Sequence, residues 1–242
     1  MFLRFTPSHE SEVDLISSLG YTQRAESFPF YKYPLEELIV ECDEDNAVML
    51  SRFKRTVKQE LKKAIDTGYQ ITVHNSPDYF VSTVWPLLQK LSHRKGFSYR
   101  PLKSFIDLLT LARPLGLINI YTAHLDQKPV QAVVTAQYGM SAYGVVGALD
   151  IESIGNKPSP SCLLFLYFFK HLKQQGIKYF NLGTKSAGDV LTFKNKFNPV
   201  EQVYPSPVTL IVNPVFYYVW QTTFLRLKKS SWRKLIKLFF RQ

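Results

Sequence analysis

The sequence predicts an α/β (α+β) fold with a central, mostly antiparallel sheet flanked by helices, and three observations carry that reading. Three β-like runs, 117–125, 130–138 and 142–148, follow one another across tight turns at Asp126 to Lys128 and at Gly139, the pattern of an antiparallel meander. Segments of helical period precede and follow these runs, and none is interrupted by a repeat or a low-complexity stretch. The chain has 242 residues, 45% apolar and 20% charged, which is ordinary globular usage and enough to build a real core.

The elements follow in order. Residues 1–48 hold short β-like pieces near Phe28 to Tyr33 and Leu38 to Cys42, and are assigned to a partial N-terminal lobe. From Met49 to Asp66, Leu50, Phe53, Val57, Leu61 and Ala64 or Ile65 recur at three- and four-residue steps, and Gly68 is a natural stop; this predicts one helix. Tyr69 to His74 alternates like a strand. Further helices are predicted over 78–93, closed by Gly96, and 102–112, closed by Pro114. After the meander, Ser159-Pro-Ser-Cys opens an apolar helix to about Gln175, with serine as N-cap and Gly176 as stop. Ile177 to Leu182 reads as a strand, 189–196 as a short helix and 200–205 as a last strand. The main domain is therefore bounded at 49–210, and 211–242 is set apart as a basic amphipathic C-terminal helix.

Charge narrows the partners. The formal net charge is +11, which implies a polyanionic partner or surface, and the excess is local. Arg52, Lys54, Arg55, Lys58, Lys62 and Lys63 crowd one helix, with Glu36, Glu37, Glu41, Asp43, Glu44 and Asp45 just upstream. Like charges at four-residue spacing weaken a helix, so this stripe calls for an anion: the pyrophosphate of a small-molecule or lipid-linked precursor, or tRNA. The bland alternative is a solvated face neutralised by the acidic stretch. In the tail, Trp232, Leu235, Ile236, Phe239 and Phe240 share one helical face while Arg233, Lys234, Lys237 and Arg241 project elsewhere, the composition of an in-plane helix on an anionic membrane.

Other classes are excluded or disfavoured. The start, MFLRFTPSHESEVDL, lacks the unbroken apolar run of a secretory leader, so the protein is expected in the cytoplasm, with peripheral contact at the inner membrane face. No run reaches the roughly 18 apolar residues of a spanning helix. Cys42 and Cys162 have no metal or disulfide spacing and are read as free, Cys162 as core. No Gly-x-Ser-x-Gly occurs, the five histidines pair with no nucleophile, and no metal is expected.

The element order is the layout of the GNAT acyltransferase fold, and particular segments resemble the Fem-type peptidoglycan-bridge aminoacyltransferases. SRFKRTVKQELKKAIDTGYQITV is similar to the basic helix and strand that lead into the second GNAT domain of those proteins. IYTAHLDQKPVQAVVTAQYGMSAYGVVGALDIE, PSPSCLLFLYFFKHLKQQGIKYFNLGT and VLTFKNKFNP resemble the rest of that domain in order. Fem proteins carry two full GNAT lobes, whereas too little chain precedes the basic helix here for a complete first one.

The resemblance implies transfer of an aminoacyl or acyl group from an activated ester to an amine of a cell-wall or surface-glycan precursor. No cofactor is held permanently; the donor is an aminoacyl-tRNA or an acyl-coenzyme A. The barrier to such a reaction falls through oxyanion stabilisation and placement of the amine. Lys194 of the Phe-Lys motif is the catalytic candidate, with Phe193 beside it and Lys196 facing elsewhere. Arg52, Lys54, Arg55 and Lys58 are candidates for the anionic substrate; Tyr143, Asn181, Gly183 and Thr184 are candidates where the sheet opens to the donor. Against standard coenzyme A binding, 154–161 has one glycine and two prolines where a pyrophosphate loop needs free amides, although Ser159, Ser161 and the helix end remain as anion holders. Two rival readings are an acyl-coenzyme A-dependent N-acyltransferase of an amino sugar and a non-catalytic truncated relative acting as a binding subunit.

Overall fold

The structure is a computed structural model, and it describes residues 2–5, 10–20, 22–24, 27–28, 31–32, 35–43, 45–185, 188–205 and 208–219. The amphipathic tail over 224–242 lies outside the described residues. The chain divides into two compact units, 1–37 with 201–242, and 38–200.

From the N-terminus come β1 (Phe2–Phe5), α1 (Glu10–Ser18), β2 (Thr22–Arg24), β3 (Ser27–Phe28), β4 (Tyr31–Lys32) and β5 (Leu35–Glu41). The expected long helix over 49–66 is in fact two, α2 (Asn46–Arg52) and α3 (Arg55–Asp66). Asp45 caps α2 by accepting from the Ala47 amide at 2.6 Å. The break falls at Phe53, whose backbone is extended at φ −85°, ψ 156°. Its buried ring meets Phe197 edge-on at 5.2 Å, and the next amide, Lys54 N, donates to the Lys196 carbonyl at 2.9 Å. Tertiary packing thus overrides a helical pattern that runs unbroken through this point.

After β6 (Gln70–His74), the helix expected over 78–93 appears as α4 (Pro77–Tyr79), a π turn over Phe80–Val84 and α5 (Trp85–Lys95) in one continuous segment. Pro86 offers no amide to the preceding turn and crowds its carbonyl, which accounts for the local widening. Gly96 ends it at φ 66°, a left-handed value glycine adopts freely. The next helix, α6 (Leu102–Ala112), has the bounds read from sequence.

The meander is β7 (Ile118–Leu125), β8 (Lys128–Tyr138) and β9 (Ser141–Leu149), antiparallel throughout. Then follow α7 (Ile151–Ile154), α8 (Ser161–Gln174), β10 (Tyr179–Thr184), α9 (Asp189–Lys194) with a 3-10 turn over Asn195–Phe197, β11 (Val200–Tyr204) and β12 (Val208–Ile211). Seven strands form one sheet in the order β11-β5-β10-β9-β8-β7-β6, with β10 parallel to β9. In the smaller unit β12 lies between β1 and β2, antiparallel to both. Serine does not cap α8 as expected: Pro160 is at the cap position, and Ser159 Oγ accepts from the Ser161 amide at 3.3 Å.

Each face of the meander has its own core. On one, β7 and β8 residues such as Tyr121, Ala123 and Val133 pack against α3 and α8. On the other, Ile118, Ile120, Ala132 and Val134 pack under α5 and α6 through Leu87, Leu88, Phe105 and Leu109. Strand alternation sends neighbouring side chains to opposite faces, which is why both sets can be apolar. Among the described residues no helix is long and apolar enough to cross a membrane.

Candidate functional site

The site follows from the way β9 and β10 part. They pair only through Tyr179↔Ser141, Phe180↔Ala142 and Asn181↔Tyr143, the first three positions of each strand. Beyond that, β9 shifts register against β8, with Thr135 opposite Gly144 but Val134 opposite Val146, so Val145 is a bulge. A bulge bends its strand and adds twist, here at the place where β10 leaves. At the same level Asn181 Oδ1 accepts from the Gly183 amide at 2.7 Å, and Gly183 takes φ 82°, turning β10 away.

The gap is a cavity of about 500 Å³. Leu91 and Arg94 of α5 reach it from one face of the sheet, Glu60 of α3 and Phe165 of α8 from the other; Gly147, Ala148 and Leu149 supply the β9 edge. Side chains from both faces can line one space only because the sheet is open there. Asp189, Val190 and Phe193 of α9, together with Lys196, form the opposite side. At the entrance to α8, Ser159 and Ser161 join the lining; their hydroxyls are 2.9 Å apart, and Ser161 Oγ donates to Gln131 Oε1 at 3.1 Å.

The residues singled out from sequence fall into two groups. Tyr143, Asn181, Gly183, Thr184, Phe193 and Lys194 come together where the strands diverge. Tyr143 lies opposite Asn181 in the ladder, and Lys194 Nζ donates to the Thr184 carbonyl at 2.9 Å. Phe193 lines the cavity and packs edge-on against Phe165 at 5.0 Å. Arg52, Lys54, Arg55 and Lys58 are exposed on α2, α3 and the junction between them. Arg52 pairs with Glu41 at 3.3 Å and Asp43 at 3.4 Å, within the acidic stretch that the bland alternative invoked.

The contribution of α3 to the cavity is Glu60, which sequence reasoning passed over. Glu60 Oε1 accepts from Lys196 Nζ at 2.6 Å, and Glu60 Oε2 accepts from Cys162 Sγ at 3.1 Å. Burial pushes this carboxyl up, but the hydrogen bonds of Lys196 and Cys162 and the charges of Lys196 and Lys63 outweigh it, so Glu60 titrates below its ordinary range. The thiol responds oppositely: burial first, then Glu60, push Cys162 up to about 12, which leaves it protonated and inert at neutral pH. The two lysines turn to different partners, Lys194 to the Thr184 carbonyl and Lys196 to Glu60, and it is Lys196 and not Lys194 that lies on the cavity wall. One signal was available: Glu60 is the sole acid between Arg52 and Lys63, an isolated carboxylate in a run of cations. Its partner lies 136 residues away, beyond any local pattern.

Residues 51–195 match the acetyltransferase (GNAT) domain family. No curated protein sequence matches the chain. Among solved structures the fold is similar to FemX, with a TM-score of 0.75 at 11% identity over 90% of this chain and 74% of that one. It is also similar to L-PGS from Bacillus licheniformis, with a TM-score of 0.56 at 15% identity over 91% and 71%. A conserved protein of unknown function from Bacteroides thetaiotaomicron gives 0.59 at 14% over 86% and 69%. The likeness to FemX is one of fold, and it is the fold that the Fem-type resemblance of the sequence implied. With its divergent strands, its bulge and the family match over most of the larger unit, the chain belongs to the acetyltransferase (GNAT) domain family and is an acyltransferase.

Proposed function

We propose that this acyltransferase moves an aminoacyl group from an ester on tRNA to an amine of a cell-wall or surface-glycan precursor. The observation that carries the choice of donor is the entrance to α8. Pro158 and Pro160 offer no amide, and the Ser161 amide is engaged by Ser159 Oγ, so the pyrophosphate of coenzyme A finds few backbone donors there. An ester on a terminal ribose makes no such demand. In this reading Lys194 stabilises the oxyanion beside Phe193, and the exposed cations Lys54, Arg55 and Lys58 attract the phosphates of the donor or of a lipid-linked acceptor.

Thermal stabilisation separates the donors, because only a ligand that binds the folded state raises the melting temperature by mass action. A bulk aminoacylated tRNA pool is expected to raise it and coenzyme A is not. The reverse would favour the amino-sugar N-acyltransferase, a reading that Ser159 and Ser161 on the cavity wall support. Neither ligand stabilising would point to a binding subunit. The sequence of the tail adds a location, the anionic inner face of the membrane. Removing residues 224–242 is expected to abolish sedimentation with vesicles of phosphatidylglycerol, and unchanged sedimentation would refute that location.

A further inference from the structure

An amine that attacks an ester carbonyl creates two charges at once, a negative oxygen and a positive nitrogen. In the proposed reading Lys194, next to the cavity-lining Phe193 but not itself in the lining, addresses only the first. The cavity contains two carboxylates, Glu60 and Asp189, and they differ in how they are held. Asp189 is exposed in the first turn of α9. Glu60 is fixed on both oxygens, by Lys196 at 2.6 Å and Cys162 at 3.1 Å, yet its side chain remains 39% exposed. Each carboxylate oxygen has two lone pairs, so these contacts leave acceptor capacity turned to the cavity.

We propose that Glu60 is a catalytic residue on the acceptor side: its carboxylate takes a hydrogen bond from the attacking amine and stabilises the ammonium that forms, while Lys196 is the positioning residue that holds it. The inference rests on the acyl-transfer reading of the same cleft. The amine lone pair forms the new N–C bond, and the carbonyl electron pair moves to oxygen and then returns as the ester C–O bond breaks. The proton lost by nitrogen passes to the departing oxygen, so amide and alcohol are the products and nothing is oxidised or reduced. A preorganised anion serves this step well, because it does not have to reorient as charge develops.

The carboxylate must be ionised to act. The groups that face it are Lys196 after α9, Cys162 on α8 and Lys63 on its own helix, with Arg94 and Asp189 elsewhere on the cavity wall. Lys196 and Lys63 favour the anion, and Cys162 donates to it. Activity should therefore fall only as pH drops through a value below the ordinary carboxylate range. Removing the Lys196 charge should move that acidic limb upward.

The test is single-turnover transfer to the lysine side-chain amine of a synthetic pentapeptide, with a bulk aminoacylated tRNA pool and acetyl-coenzyme A as alternative donors. Glu60→Gln is expected to lower the rate about 10²-fold at pH 7 with substrate affinity little changed, and Glu60→Asp to recover part of the loss. Lys196→Met is expected to shift the acidic limb upward while retaining most of the plateau rate, which loss of packing alone would not do. Lys103→Ala, on α6 and paired with Asp107, supplies the unchanged comparison. Wild-type transfer together with a Glu60→Gln rate within threefold of it, or with an unmoved limb in Lys196→Met, overturns the role of Glu60 and leaves the function standing. Absence of wild-type transfer from both donors overturns both. If Glu60→Gln fails to fold, the limb in Lys196→Met decides.

Discussion

The two faces of the meander are built differently, and the one under α3 and α8 gathers the larger set of buried apolar residues. The face under α5 and α6 is mainly aliphatic, with Val84, Leu87, Leu88, Leu109, Ile118 and Ile120 around one stacked pair, Phe80 and Phe105, at 5.2 Å. The face under α3 and α8 is a network of phenylalanines. Phe169 alone has ring contacts with Phe53, Phe165, Phe168, Phe180 and Phe197 at 4.7 to 6.0 Å. Charged groups also reach in there, Glu60 and Lys196 with the Cys162 thiol. Rigid rings with two torsions each hold a backbone in place at low entropic cost, and the backbone held here is the 193–197 segment that carries the candidate lysines. Both faces supply stability, and the one under α3 and α8 also holds the segment that carries the candidate lysines.

The largest effects test that division. Phe80→Ala and Phe169→Ala each empty a fully buried ring site, and each is expected to cost about 3 to 5 kcal/mol in chemical denaturation. They should differ in activity. The folded fraction of Phe80→Ala is expected to keep its turnover, and that of Phe169→Ala to lose it as Lys194 and Lys196 shift. Equal turnover in both would erase the distinction between the faces.

Next in size is Lys194→Ala. If Lys194 stabilises the oxyanion, turnover is expected to fall by roughly 10² to 10³, about 3 to 4 kcal/mol, with little change in substrate affinity. Lys194→Arg should recover part of the loss, because a planar guanidinium presents its donors differently. Lys196 cannot serve as the inert comparison, since it lies on the cavity wall; Lys103→Ala takes that place. A near-normal single-turnover rate in Lys194→Ala would reduce the ammonium to a structural tether on the Thr184 carbonyl.

Much of this arrangement was legible in the sequence. Periodicity located the meander, the α6 bounds and the left-handed stops at Gly96 and Gly176, because each depends on neighbours within about four residues. The Phe-Lys segment came instead from the Fem-type resemblance, and the strand end at Asn181 to Thr184 from the GNAT layout that the element order implied. What stayed hidden depends on distant partners. The break at Phe53 is set by Phe197, the Glu60 site by Lys196, and the pairing of β1 with β12 joins residues from opposite ends of the chain. The register that opens β9 from β10 is equally non-local, so the cavity itself could not be drawn from the pattern.

A smaller effect probes electrostatics on the aliphatic face. The buried side chain of Asp150 accepts from Lys90 at 2.6 Å and from the Ser153 amide at 3.2 Å. Burial pushes its carboxyl up, but the Lys90 and Ser153 hydrogen bonds and the Lys90 charge hold it below its ordinary value. A depressed folded-state value means the stabilisation is complete above the unfolded value, about 3.9, and is lost as pH falls through the folded one. Asp150→Asn is expected to cost about 1 to 2 kcal/mol at pH 7. The difference from wild type should shrink below about pH 4, and turnover should stay unchanged. A pH-independent difference in denaturation midpoint would mean that the carboxylate charge is not what matters.

The smallest effect supplies a baseline away from both faces. The hairpin between β7 and β8 turns through Asp126 at φ 50° and Gln127 at φ 64°, a two-residue turn with both central residues left-handed. That geometry matches the twist of the strands and favours Asp-Gly or Asn-Gly, because a side chain with a Cβ is strained there by about 1 to 2 kcal/mol. Glycine removes the strain and gives part of the gain back through its greater freedom in the unfolded chain. Gln127→Gly is therefore expected to raise stability by about 0.5 to 1 kcal/mol, read as a shift in urea midpoint at constant slope. Asp126 keeps its exposed pairing with Lys157 at 3.6 Å and should contribute equally in both proteins. Because the turn touches neither the phenylalanine network nor the α5 and α6 core, turnover should be unchanged. A loss of turnover in Gln127→Gly would mean that activity follows the global rigidity of the sheet, and the separate roles given to the two faces would have to be abandoned.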